Sequence, residues 1–291
     1  MREINALLLG RLREVLLRNE PLCTADAFRE MTELGLSPEE AMAAFLMGAM
    51  GLDAESPMGR EIYRGYLPRM LRGMETAFVR EDPYVRAMGE TAGERNGRVL
   101  CMDAIEPFTL FVRDDMCRDR EGRILPALGF MPEEVRFPAL YGEGLSWMSA
   151  EPNEIATLRP LAEAAKGRVA VMGLGIGYVL YHLLLNPSVT EIVCVERDRD
   201  ILELFTDVLL PRFPENKKMT LIEADAFDWV RCSLPEFKPD TVLVDLWRDA
   251  GDGIPLYRRM KTLETPGIKW QYWIEKTMQI YLEEESGYAG A

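Results

Sequence analysis

Residues 171–177 run Val171-Met172-Gly173-Leu174-Gly175-Ile176-Gly177, followed by Tyr178 and mostly apolar residues to Leu185. The run Arg168–Met172 before it reads as a strand, and the segment 176–186 after it as a helix. Three alternate glycines between them allow a tight turn and close backbone approach to a ligand. The helix N-terminus aims its N–H groups at whatever sits above that turn. Spacing limits what the ligand can be. A dinucleotide loop needs Gly-x-Gly-x-x-Gly, but the sixth position from Gly173 is Tyr178, and the third glycine, Gly177, comes one place early. No Gly-Lys-Ser/Thr follows, which excludes a Walker loop.

Towards the C-terminus the same rhythm repeats. Glu191–Glu196, Met219–Glu223 and Thr241–Asp245 are short apolar, β-branched runs of the kind buried on both faces of a sheet. Helical segments at about 198–210 and 225–233 lie between them. Alternation of this kind predicts an α/β fold with right-handed crossovers and a doubly wound parallel sheet. The tail 246–291 offers helices at Tyr257–Leu263 and Gln271–Glu283 but no further strand. The sheet is therefore expected to stop after its fourth strand, or to borrow strands from the preceding segment. Trp270, Tyr272 and Trp273, placed on the last helix, would then cover its bare edge.

Towards the N-terminus, residues 1 to about 90 read as helical. Ile4, Leu8, Leu12 and Leu16 share one face, and Ser37-Pro38-Glu39-Glu40 opens a helix with an N-cap, a first-turn proline and acids where the helix dipole favours them. Its Met42, Phe45, Leu46 and Met50 read as core. Glycine and charge around Met88–Arg98 read as a linker. Extended segments follow at Arg98–Met102, Phe108–Arg113, Val135–Tyr141 and Leu145–Met148, the last two joined by Gly142-Glu143-Gly144. Pro152 and Glu154 start a helix towards Ala165. The expected division is a helical domain (1–95), a β-rich connecting segment (96–150) and a nucleotide-binding domain with C-terminal helices (151–291).

Composition narrows the function classes. The 291 residues are 48% hydrophobic and 28% charged, as in ordinary globular proteins. A net charge of −14 disfavours a nucleic-acid partner and would suit a cationic one, or simply solubility. Arg258-Arg259 and Lys217-Lys218 are too small to reverse that. Five scattered cysteines suggest neither a zinc site nor a disulfide framework, so no metal is expected. Early charges at Arg2 and Glu3 argue against a signal peptide, and the uncharged run Ala41–Leu52 is too short to span a membrane. A reduced cytoplasm is the expected setting.

Further site candidates follow the strands. Glu196 closes the second strand, nineteen residues beyond Gly177, where an acid can accept both ribose hydroxyls. Asp225-Ala226, after the third strand, offers a carboxylate and a backbone N–H for the adenine edge. Asp245 closes the fourth. All lie at the carboxyl ends of strands, where open sheets bind ligands. His182, the lone histidine, reads as a packing residue. Trp147 and Tyr141 read as core aromatics with a lid over the site as the alternative.

These residues resemble the class I S-adenosylmethionine-dependent methyltransferases, and within them the spermidine-synthase-like branch. Gly173–Gly177 is similar to that family's loop for the amino-acid end of the cofactor. Ser188–Glu196 is similar to its second strand and ribose acid, and Glu223-Ala224-Asp225-Ala226 to its adenine site. Tyr141-Gly142-Glu143-Gly144 and Glu151-Pro152-Asn153-Glu154 resemble the short β segment that leads into the nucleotide domain of spermidine synthases. The resemblance runs from about 135 to 250. It implies a Rossmann-like domain that binds S-adenosylmethionine through Gly173, Gly175, Gly177, Glu196, Asp225 and Ala226. In-line methyl transfer to a small-molecule or protein substrate follows, with Asp245 the nearest base for an amine nucleophile.

One departure bears on the reaction. Spermidine synthases carry two aspartates three apart after the fourth strand, whereas Asp245-Leu246-Trp247-Arg248-Asp249 sets them four apart. Asp249 and Asp252 read as a polar loop. Aminopropyl transfer to a polyamine stays open as an alternative, as does a non-catalytic nucleotide-binding interaction module. Self-association is also left open.

Overall fold

The computed structural model describes residues 2–118, 124–215 and 217–288. They form two compact units, Met1–Arg80 with Ala104–Arg136, and Glu81–Asp103 with Phe137–Ala291. Packing thus cuts across the expected segments 1–95, 96–150 and 151–291. The cause is strand pairing between residues far apart in sequence, which sends alternate pieces of the middle segment to different units.

In the first unit the helix Arg2–Arg18 buries Leu8, Leu12 and Val15. Ser37 caps the helix Pro38–Ala49: its hydroxyl accepts the Glu40 N–H, and the Glu40 carboxylate accepts the Ser37 N–H at 2.8 Å. This reciprocal cap satisfies two N–H groups that the helix cannot pair internally. Met42, Leu46 and Met50 join one core with Phe108 and Phe130, so the methionine stripe is packing. A three-stranded sheet sets Ile124–Phe130 between Leu71–Gly73, which runs parallel to it, and Phe111–Arg118, which runs antiparallel.

The second unit holds the predicted α/β sheet. Its strands are β1 (Gly167–Met172), β2 (Val189–Glu196), β3 (Lys218–Glu223), β4 (Thr241–Val244) and β5 (Lys269–Tyr272). They lie in the order β3-β2-β1-β4-β5, all parallel. The order reverses between β1 and β4, and in doubly wound sheets that switch point is where ligands bind. Val169, Ala170, Val171 and Met172 of β1 are each at most 1% exposed, as a central strand covered on both faces requires.

β5 corrects the expectation of a sheet that stops at its fourth strand. Lys269-Trp270-Gln271-Tyr272 alternates polar and aromatic residues, a four-residue strand pattern masked by the helix that follows. That helix, Glu275–Tyr288, begins later than 271. Trp270 and Tyr272 therefore belong to the edge strand, stacked at 6.4 Å, and do not cap it from a helix.

The expected linker near Met88–Arg98 also has structure. Gly93–Arg95 pairs antiparallel with Arg98–Ile105, and Arg95 forms ion pairs with Glu203 and, at 3.4 Å, Asp207. Both strands belong to a four-stranded sheet with Val135–Gly142 and Leu145–Ser149. The last two strands are joined through Glu143 and Gly144, both left-handed at φ 55° and 76°, the requirement of a tight hairpin turn.

Beneath the helix Tyr178–Leu185 lies a buried polar cluster. The Asp82 carboxylate accepts the Tyr178 hydroxyl at 2.9 Å and lies 3.4 Å from Arg159 and 3.6 Å from His182. Its other oxygen accepts the Tyr84 and Val85 N–H groups, capping the helix Pro83–Met88. Burial pushes the Asp82 carboxyl up, but His182 and the Tyr178 hydroxyl outweigh it and hold the group below its ordinary value. His182, 6% exposed, is packed, with its Nε2 near Asp82 but in no hydrogen bond among the described residues. Tyr84 donates to the Ile176 carbonyl at 2.7 Å and so tethers the glycine turn. Tyr84→Phe is expected to cost about 1 kcal/mol, the usual net worth of one such bond, measured by urea unfolding.

Candidate functional site

A cavity of about 400 Å³ opens at the carboxyl ends of β1 to β4. Gly173 and Gly175 line it from β1, Glu196 and Arg197 from β2, Asp225 and Ala226 from β3, and Asp245 to Arg248 from β4. Trp147, Met148, Glu154 and Trp273 complete its walls. Its volume lies within the roughly 300–1,000 Å³ usual for small-molecule sites.

The three glycines do different work. Gly173 has φ 100°, and a Cβ there would run into the backbone carbonyl oxygen of Asp245, so β1 and β4 meet closely at their ends. Gly175, at φ 51°, lies under the Met148 thioether. Gly177 does not line the cavity; at φ 77° it caps the helix Tyr178–Leu185, and a Cβ would strike the Phe205 and Phe213 rings. Its glycine requirement comes from packing. Gly173→Ala is expected to destabilise the fold by more than about 1 kcal/mol, because a left-handed alanine is strained before the backbone clash is added. Thermal unfolding against wild type checks this.

Glu196 is the best-oriented acid in the cavity. One carboxylate oxygen accepts the Leu174 N–H of the glycine turn at 3.0 Å, and the other accepts the Asp198 N–H at 2.8 Å. Each oxygen keeps a second lone pair. Asp225 caps the helix Ala226–Cys232, with Oδ1 accepting the Phe227 and Asp228 N–H groups at 2.9 and 3.1 Å. Capping alone accounts for an aspartate there, and Oδ2 remains as an acceptor.

Asp245 sits where β4 ends, its N–H bonded to the Met172 carbonyl at 2.9 Å. Burial, and then the charge of Glu196, push its carboxyl up to about 7. Glu154 shares the cavity. Its Oε1 accepts the Ser149 N–H at 3.3 Å, while its Oε2 is buried with no hydrogen-bond partner among the described residues. Burial, Glu151 and Asp245 together raise its carboxyl well above the ordinary range. Glu151 is itself pushed to about 7 by burial and then by Asp103. Sequence reasoning missed Glu154 because an acid in the first turn of a helix is commonplace. Only tertiary packing brings it to the cavity that Asp245 also lines.

Trp247, two residues after Asp245, packs against Gly253 and stacks on Tyr272 of β5 at 6.5 Å. Its indole N–H is buried without a partner among the described residues. Asp249 and Asp252 are more than a polar loop. They cap each other's backbone at the start of the helix Ala250–Lys261, with Asp249 Oδ1 accepting the Gly251 and Asp252 N–H groups. Of the aromatic candidates, Trp147 lines the cavity under the Arg98 guanidinium, and Tyr141 donates to Asp103. Among the described residues no cluster of three His, Cys, Asp or Glu side chains forms a metal site, and no helix is long and apolar enough to cross a membrane.

These carboxyls carry a pH signature. Asp245 and Glu151 hold protons in the folded chain up to about pH 7 that the unfolded chain releases near pH 4. Their contribution to stability is thus full below about pH 4 and lost as pH rises through 7. Urea unfolding at pH 5 and pH 8 is expected to show the decline, and Asp245→Asn to flatten it.

No family model matches the sequence, and no curated protein matches it either. Among solved structures, the chain is similar to a protein of Porphyromonas gingivalis W83 that carries a provisional methyltransferase name (16% identity, 39% of this chain and 30% of that one, TM-score 0.30). It is also similar to spermidine synthase from Thermotoga maritima (13%, 62% and 55%, TM-score 0.34) and to precorrin 8w decarboxylase from Methanobacterium thermoautotrophicum (24%, 39% and 60%, TM-score 0.28). The chain thus spans less than two thirds of each of these proteins. At such TM-scores the α/β fold rests on the chain's own strand order and register.

Proposed function

We propose that this chain binds S-adenosylmethionine in the cavity and transfers its methyl group to a small-molecule or protein substrate. The observation that carries the reading is Glu196, held by N–H groups on both oxygens at the rim of a cavity that Gly173, Gly175, Asp225, Ala226 and Asp245 also line. The residues fit such a ligand. Glu196 would accept the ribose hydroxyls, Asp225 Oδ2 and the Ala226 N–H would meet the adenine edge, and the turn at Gly173–Gly175 admits a close-lying chain. Two buried polar atoms without partners, Glu154 Oε2 and Trp247 Nε1, belong to cavity residues, as expected of a site completed by a ligand. When bound, the cofactor supplies an electrophilic methyl on a sulfonium. Asp245, poised near neutral pH, can accept a proton from a nucleophile held beside it. The net charge of −14 keeps nucleic acid out of the proposed partners.

A second reading, aminopropyl transfer to an amine, draws on the acidic wall formed by Asp245 and Glu154. Against it, Asp249 is engaged in a helix cap. Calorimetric titration with S-adenosylmethionine and its decarboxylated form separates the two. Tighter binding of the carboxylated form supports methyl transfer; preference for the decarboxylated form supports the second. Absence of binding for both would reject each and favour a non-catalytic module.

A further inference from the structure

Arg98 opens the strand Arg98–Ile105 of the four-stranded sheet and reaches the end of β2, a hundred residues on in sequence. Its Nε donates to Asp198 Oδ2 at 2.9 Å, and its Nη2 lies 2.8 Å from the same oxygen. The two side chains are each only 19% exposed, so the pair is shielded from the water that weakens surface ion pairs. The guanidinium also lies over the Trp147 ring, 5.2 Å from its centroid, a cation–π contact. Little space is left around it. A Cβ on Gly142 would strike both Trp147 Nε1 and Arg98 Nη1. The guanidinium is thus fixed by an aromatic ring, a close-lying backbone and a carboxylate.

Asp198 connects Arg98 to Glu196. Its Oδ1 accepts the Asp200 and Ile201 N–H groups at 2.9 and 3.3 Å, capping the helix Arg199–Leu204. With Oδ1 on the helix and Oδ2 on Arg98, Asp198 is held from two directions, and its own N–H donates to Glu196 Oε1 at 2.8 Å. The Glu196 carboxylate then spans Asp198 N–H and the Leu174 N–H of the glycine turn. Trp147 and Glu196 both line the cavity, and Arg98 touches the first and reaches the second through Asp198.

We infer that Arg98 is a positioning residue for the ligand site, which fixes the Glu196 carboxylate through Asp198 and ties it to the wall that carries Trp147. This rests on the reading of Glu196 as the ribose acid. An acceptor already held in place binds hydroxyls without first being ordered, so loss of Arg98 weakens the ligand through Glu196.

Amide hydrogen exchange without ligand and titration with S-adenosylhomocysteine test this on the full chain. Arg98→Met keeps an unbranched apolar stem and removes the charge. In that variant the Leu174 and Asp198 N–H groups are expected to exchange several-fold faster than in wild type. Those of Phe227 and Asp228, which Asp225 accepts, should keep their rates. S-adenosylhomocysteine should bind Arg98→Met about tenfold more weakly. In a Glu196→Ala background the same substitution should change affinity by less than about twofold, because the contact it supports is already gone. Arg98→Lys keeps a cation for Asp198 and should restore part of both effects; should Arg98→Met not fold, it shows the same changes on a smaller scale. Unchanged exchange at Leu174 and Asp198 would overturn the inference, and so would an equal loss of affinity with and without Glu196. A wild-type chain that binds no nucleoside would reject the adenosyl reading, while the exchange rates still decide the role of Arg98.

Discussion

Glu196→Ala is expected to weaken S-adenosylhomocysteine binding about 100-fold. Two charge-assisted hydrogen bonds to ribose hydroxyls, each worth roughly 1.5–3 kcal/mol, would be lost together. The variant also frees the Leu174 and Asp198 N–H groups, which lie at the site's edge. Loosening of the glycine turn adds to the effect without unfolding the sheet, because Tyr84 still holds the Ile176 carbonyl. Calorimetry gives the affinity and thermal unfolding controls for fold. An affinity within threefold of wild type would show that Glu196 does not face the ribose.

The largest stability effect is expected at Asp82. Its carboxylate serves the Tyr178 hydroxyl, the Arg159 guanidinium, His182 and two helix N–H groups, all from a fully buried position. Asp82→Ala leaves the Tyr178 hydroxyl and the two helix N–H groups without their acceptor in the interior, and removing one partner of a buried charged network costs about 3–5 kcal/mol. That is a large share of the roughly 5–15 kcal/mol that holds a typical domain folded. Asp82→Asn keeps an oxygen for the helix cap and should lose less. Urea midpoints rank the two variants, and an alanine variant as stable as wild type would mean the cluster contributes nothing net.

Much of this site was legible in the sequence because it follows local rules. A strand, a glycine turn and a helix announce themselves within the nineteen residues Gly167–Leu185, and Glu196 and Asp225 occur where the following strands end. Ser37 likewise caps the helix it was expected to open, and Glu40 adds a reciprocal bond to it. What escaped depended on distant partners. Nothing local marks Lys269–Tyr272 as a strand, since its pairing with β4 lies almost thirty residues away. Gly177 packs against Phe205, and a glycine needed for packing has the same letter as one needed beside a ligand. Glu154 reads as an ordinary helix-start acid, and only its burial in the cavity wall sets it apart.

S-adenosylhomocysteine titrated into the wild-type chain at neutral pH is expected to show saturable one-to-one binding in the micromolar range, with Glu196→Ala about 100-fold weaker. A wild-type chain that takes up neither this nucleoside nor S-adenosylmethionine at millimolar concentration would contradict the proposed function.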